Sequence, residues 1–199
     1  TDLTLGKRNT LDAQILWNYA DENLKFTERV SNTLKWKNAY GTIYHTYRAE
    51  RWVLQTTGEA SQGSSDIRRD NPVVGVSNKD DNHFLRLALA YAMQLSKVFT
   101  LYAGAEASHV AIDSKRTLAT DKSTLREWDI EGYASLRFRT PRFFGNAGLR
   151  VAGEDRTGNL GTGIGSFSHS GMELLPYASL AYQPAQGHQV SLTHTSSYT

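Results

Sequence analysis

Two residues near the end of the sequence have the types and spacing of a nucleophile and its base. His194 and Ser196 stand two apart in HQVSLTHTSSY, residues 188 to 198. On a strand that spacing puts both side chains on one face, where an imidazole can take the proton of an attacking serine hydroxyl. No orienting acid is identifiable beside them. A second set is ionic: Arg86, Glu106, Glu127, Asp129, Glu131, Arg137, Arg139 and Arg150 occupy alternate positions within their segments. Each group therefore shares a face, and acids of one strand can meet bases of the next. The other histidines, His45, His83, His109, His169 and His188, lack the close pairing or neighbouring carboxylates of a metal site, so no metal or other cofactor is expected. The glycine-rich run 155–172 has no following helix to supply aligned N–H groups for a phosphate. It reads as a surface loop.

The elements that must hold these residues are strands. In 83–96, Leu85, Leu87, Leu89, Tyr91, Met93 and Leu95 share one side, while Arg86, Ala88, Ala90, Ala92 and Gln94 share the other. Segment 98–111 alternates again, after only Ser96 and Lys97, and 127–139 sets Trp128, Ile130, Leu136 and Phe138 against its charges. In 23–37, Leu24, Phe26, Val30, Leu34 and Trp36 oppose a polar series. The pattern predicts strands at 12–20, 23–37, 42–57, 83–95, 98–112, 125–139, 142–154, 173–183 and 188–198, with residues 2–8 a candidate tenth. Short turns fall at 38–41, 96–97, 140–141 and 184–187. Long polar connections fall at 58–82, 113–124 and 155–172. In an antiparallel meander alternate connections lie at the same end, so one end is trimmed and the other elaborated.

Composition narrows the class. Hydrophobic residues make up 39% and charged residues 21%, mean hydropathy is -0.49, and no run approaches the roughly 20 apolar residues of a spanning helix. That excludes a helical membrane protein and leaves open a barrel, whose strands are only half apolar. The absence of cysteine removes thiolate chemistry and Cys-ligated metals. A net charge of +2 scattered among acids offers no stripe for nucleic acid.

With alternating strands, short turns at one end and aromatics beside those turns (Trp36, Tyr40, Phe99, Phe138, Phe143 and Tyr182), the chain resembles bacterial outer-membrane β-barrel proteins. The resemblance implies an all-β, antiparallel up-and-down transmembrane barrel spanning 1–199 as a single domain. About eight to ten strands are visible, and the odd count expects a missing terminal strand or membership in a larger barrel. It implies an outer-membrane location, contact with lipid and lipopolysaccharide, and a role as channel, export component or envelope anchor for a polar solute or polymer. The eight charged residues named above would then line the lumen, as an ion-paired plug in a small barrel or a pore wall in a wide one. The His194–Ser196 pair is also similar to the His-x-Ser arrangement of outer-membrane lipid hydrolases of the phospholipase A and lipid A deacylase types. Ser197 stands where the deacylases carry asparagine. Two alternatives therefore stay open: a lipid-facing acyl hydrolase, and a soluble ligand-binding barrel whose apolar face points inward. The sequence does not fix an oligomeric state.

Overall fold

The computed structural model describes residues 2–4, 8–27, 30–70, 76–116, 121–161 and 164–196. They form one antiparallel sheet whose strand order is the chain order. The strands are β1 (Asp2–Thr4), β2 (Asn9–Thr27), β3 (Val30–Arg48), β4 (Trp52–Asp70), β5 (Val76–Gln94), β6 (Phe99–Arg116), β7 (Asp121–Arg139), β8 (Phe143–Asn159), β9 (Ser166–Ala185) and β10 (His188–Thr195). Residues 2–4 thus supply the tenth strand. Among the described residues there is no helix, and β2 and β10 carry the open edges, because β1 covers only Thr10, Leu11 and Asp12 of β2.

Local chemistry fixes the tight turns at one end. Ser96 Oγ accepts from the backbone N–H groups of Val98 and Phe99 at 3.1 Å, closing the β5–β6 hairpin. Between β7 and β8 the Thr140 hydroxyl bonds both the N–H and the carbonyl of Phe143 at 3.0 Å. Gly187, at φ +83°, takes the left-handed position of the two-residue turn into β10.

The strands depart from the sequence pattern in two places. The expected turn at 38–41 does not exist: Asn38, Ala39, Tyr40 and Gly41 run through the middle of β3, paired with Gly63, Gln62, Ser61 and Ala60 of β4. The three strands expected at 12–20, 23–37 and 42–57 therefore take other bounds: β2 and β3 are each 19 residues long, and 42–57 comprises the end of β3, the link 49–51 and the first residues of β4. Leu34 and Trp36 consequently stand opposite Ile67 and Ser65 on the polar side of the sheet, away from the aromatic level expected of Trp36 and Tyr40. The long connections are also mostly strand. Residues 58–69 pair with 76–87 of β5, 113–116 with 121–124, and 155–159 with 166–170. Their polarity reflects a demand for solvated side chains, which a paired backbone meets as well as a loop does.

Strand length explains this. A strand of 19 residues such as β7 runs about 63 Å, and at a tilt near 40° rises about 48 Å, roughly twice the apolar band of an outer-membrane barrel. The greasy half lies toward the tight turns. There Phe99 pairs with Phe138, the Phe143 and Tyr182 rings stack at 4.6 Å, and Trp52 sits 4.9 Å from Tyr47 and 5.8 Å from Tyr91. Ten residues up β7 from Phe138, the Trp128 ring lies 4.3 Å from His109. That interval is about 33 Å along the strand and about 25 Å in height, the spacing of two aromatic girdles.

Cross-strand register keeps the two faces separate. Trp128, Ile130, Leu136 and Phe138 share a face with Leu85, Leu87, Leu89 and Leu101, and this is the uncovered face: Ile130 is 60% exposed, Leu87 54% and Trp128 45%. Among the described residues no large side chain is fully buried, and the buried apolar residues are Ala111, Leu175 and Ala181. The described residues enclose no dry centre. On the opposite face glycines make room for tyrosine rings from the next strand, Gly104 under Tyr133 and Gly148 under Tyr177. A Cβ at Gly148 would lie 2.7 Å from the Ala134 carbonyl oxygen and 2.6 Å from Ser135 Cβ, whereas one at Gly104 meets only the swingable Tyr133 ring. Gly148→Ala is expected to cost about 1–3 kcal/mol in urea unfolding from lipid vesicles, and Gly104→Ala clearly less.

Candidate functional site

The polar face carries a chain of ion pairs across six strands. Arg86 on β5 joins Glu59 of β4 at 3.3 Å and grips Glu106 of β6 through two bonds, Nε to Oε1 at 2.7 Å and Nη2 to Oε2 at 2.8 Å. Glu106 stands directly opposite Glu131 of β7, which Arg150 of β8 reaches at 2.5 Å. One level up, Asp129 faces Glu154 and receives the Ser108 hydroxyl at 3.4 Å. Arg156 bridges Glu127 at 2.8 Å and Glu154 at 3.2 Å, and His169 of β9 lies 3.1 Å from Glu154. Two of the acids are well covered: the Glu59 and Glu154 side chains are 13% and 14% exposed.

Two directly opposed acid pairs, Glu106–Glu131 and Asp129–Glu154, are an arrangement that cross-strand energetics disfavours. The three arginines hold them in place. Together Glu106, Asp129, Glu131, Arg150, Glu154 and Leu175 enclose a groove of about 310 Å³. Toward the tight turns Arg137 continues the face in a second groove of about 380 Å³ beside Tyr102, Tyr133 and Asn146, while Arg139 stands opposite Phe144.

All eight expected lumen residues, Arg86, Glu106, Glu127, Asp129, Glu131, Arg137, Arg139 and Arg150, thus fall on one face. Sequence reasoning missed Glu59, Arg156 and His169 as members because they lay in stretches read as loop. The signal that finds them is the same alternation carried further: Glu59 follows Thr57 and precedes Ser61, and Arg156 follows Glu154.

The other candidate pair sits elsewhere. His194, on β10, is exposed on the apolar side beside Leu192, paired with Ala178, and a groove there is lined by Leu136, Phe138, Ala147 and Leu180. Ser196 follows the last paired residue, Thr195, whose partner is Tyr177. None of these neighbours is a carboxylate. The remaining histidines are spread out. His45 meets Asn9 at 3.3 Å and His109 packs on Trp128, and the described residues contain no group of three or more ligands that could hold a metal ion.

An apolar face turned outward and a charged face turned toward cover is the reverse of a soluble barrel, and the reading as a soluble ligand-binding barrel fails on it. The sequence model of the outer membrane protein beta-barrel family matches residues 54–198, nearly three quarters of the sequence. The chain belongs to that family. As an outer membrane β-barrel protein it lies in the bacterial outer membrane, with the Leu87–Ile130 side against acyl chains.

Solved structures share the fold at low sequence identity. The alcaligin outer membrane receptor FauA from Bordetella pertussis superposes with a TM-score of 0.72 at 14% identity, over 98% of this chain and 33% of that one. The ferric yersiniabactin uptake receptor FyuA from Yersinia pestis gives 0.64 at 14% identity, over 92% and 33%. The siderophore receptor PiuA from Acinetobacter baumannii gives 0.57 at 12%, over 94% and 39%. The chain spans about a third of the length of these barrels. No curated protein matches the sequence.

Proposed function

We propose that this chain is one arc in the wall of a wide outer-membrane barrel that passes a polar solute, with the charged face lining the lumen and cations favoured over anions. The carrying observation is the acid-rich groove on the face away from lipid, where Glu106 opposes Glu131 and Asp129 opposes Glu154. Like charges placed opposite one another reduce stability, and their concentration on one wall produces a field a passing ion would feel. The wide arc is supported by the edges. An edge in hydrocarbon must find hydrogen-bond partners, and here β10 and most of β2 have an unpaired side among the described residues. Barrels of about eight strands fill their interior with side chains, whereas much larger ones enclose a channel or a plugged lumen. FyuA, whose fold this chain shares, is a ferric yersiniabactin uptake receptor.

The test is the ion selectivity of the full-length polypeptide in planar bilayers. Cation-selective conductance is expected, with Glu106→Lys plus Glu131→Lys moving the reversal potential toward anions. Folded protein that stays electrically silent would remove the open-pore reading and leave a binding or anchoring role.

A further inference from the structure

Above the upper aromatic level the lipid-side face changes character. One cross-strand row there reads Asp21, Lys35, Asp66, Lys79, Lys115, Lys122 along β2 to β7, each residue directly paired with the next. Over its first four positions acid and base alternate, and Lys35 meets Asp21 at 3.2 Å. Then the alternation stops, and Lys79, Lys115 and Lys122 stand side by side on three neighbouring strands. Carboxylates of the row below partly answer them: Asp81 lies 3.6 Å from Lys79, while Asp113 lies 3.7 Å from Lys122 and is shared with Arg126 at 2.8 Å. Lys115 has no ion-pair partner among the described residues, and all three lysines are exposed.

Directly opposed like charges cost stability unless something bridges them. Lys122 stands six residues above Trp128, about 20 Å along β7 and about 15 Å in height. The row therefore lies outside the hydrocarbon, and its lysine side chains, which meet carboxylates of the row nearer the girdle, reach back toward the lipid head groups. This is also the end at which the strands run farthest past the apolar band, the exterior end in barrels of this architecture.

We infer that Lys79, Lys115 and Lys122 form a binding site for the phosphorylated head group of an outer-leaflet glycolipid. A phosphate seated over Lys115 would bridge the row, supply its missing partner and tie β5, β6 and β7 together on the side away from the lumen. The site is independent of whether the lumen carries a solute, because it needs only the orientation of the two faces.

Full-length protein refolded in detergent is titrated with bis-phosphorylated lipid A, with the same lipid after enzymatic dephosphorylation, and with inorganic phosphate. The phosphorylated lipid is expected to bind at least about tenfold more tightly than the dephosphorylated one. Lys115→Gln should weaken it about fivefold, and Lys79→Gln/Lys115→Gln/Lys122→Gln about a hundredfold. Lys97→Gln, in the tight turn at the opposite end, should leave affinity unchanged. The assignment is overturned if the folded Gln variants bind as the unaltered protein does, or if dephosphorylation makes no difference. Displacement by equimolar inorganic phosphate would also overturn it, since the row would then be a general anion site. Should the triple variant fail to fold, the single Lys115→Gln titration decides.

Discussion

Leu89→Arg is expected to lower folding stability in a bilayer by roughly 2–4 kcal/mol. Leu89 lies on the lipid-facing side, 44% exposed, in a row with Ala105 and Gly132 that offers no bulk to shelter a guanidinium. Gly132 is four residues from Trp128 and six from Phe138, so a charge in that row is far from both girdles and cannot easily reach water by bending. The matching control is one residue away. Ala88 points to the opposite face and pairs with Glu106, so Ala88→Arg should be near neutral. Urea titration of both variants folded into lipid vesicles checks the pair. Equal losses, or a larger loss for Ala88→Arg, would mean the faces have been assigned the wrong way round.

Arg86→Ala should destabilise by roughly 2 kcal/mol, between the near-zero value of an exposed pair and the 3–5 kcal/mol of a fully buried one. Most of this is the penalty on what remains. Glu59, largely covered, loses its partner at 3.3 Å, and Glu106 loses both bonds at 2.7 and 2.8 Å while still facing Glu131. Arg86 is itself about a third exposed, which is why the estimate stays below the buried limit. Adding Glu106→Gln removes one stranded charge and the repulsion across to β7. The double variant is therefore expected to recover a substantial part of the loss in the same unfolding assay. A double variant weaker than Arg86→Ala would show that Glu106 stabilises through some contact other than Arg86.

The sequence reading was reliable where both solvents of the sheet are uniform. Between the girdles, one side meets hydrocarbon and the other a polar space, so Leu85 to Met93 and Trp128 to Phe138 alternate without a break. Above the upper girdle both sides are wet, period two loses its contrast, and Ser61–Asp70 looks like loop although every residue is paired. Arg156 and His169 lie in such polar stretches, and Glu59 lies just before one. The phase error in β2 and β3 has a different origin. Asn38 to Gly41 has the residue types of a turn, but turn chemistry is local, and pairing of those residues with both β2 and β4 overrides it. Trp36 takes its face from Ser65 across the sheet and not from its neighbours in sequence.

Every strand lies beside its neighbours in the chain, and the links between them are short. The natural increment of such a wall is two strands at a time. Removing or duplicating a hairpin such as 76–116 would change the circumference while leaving the next strand pointing in its original direction, with its oily residues still outward. A single-strand gain or loss would invert everything downstream. The girth of such a wall is therefore set by counting hairpins rather than by redesigning side chains.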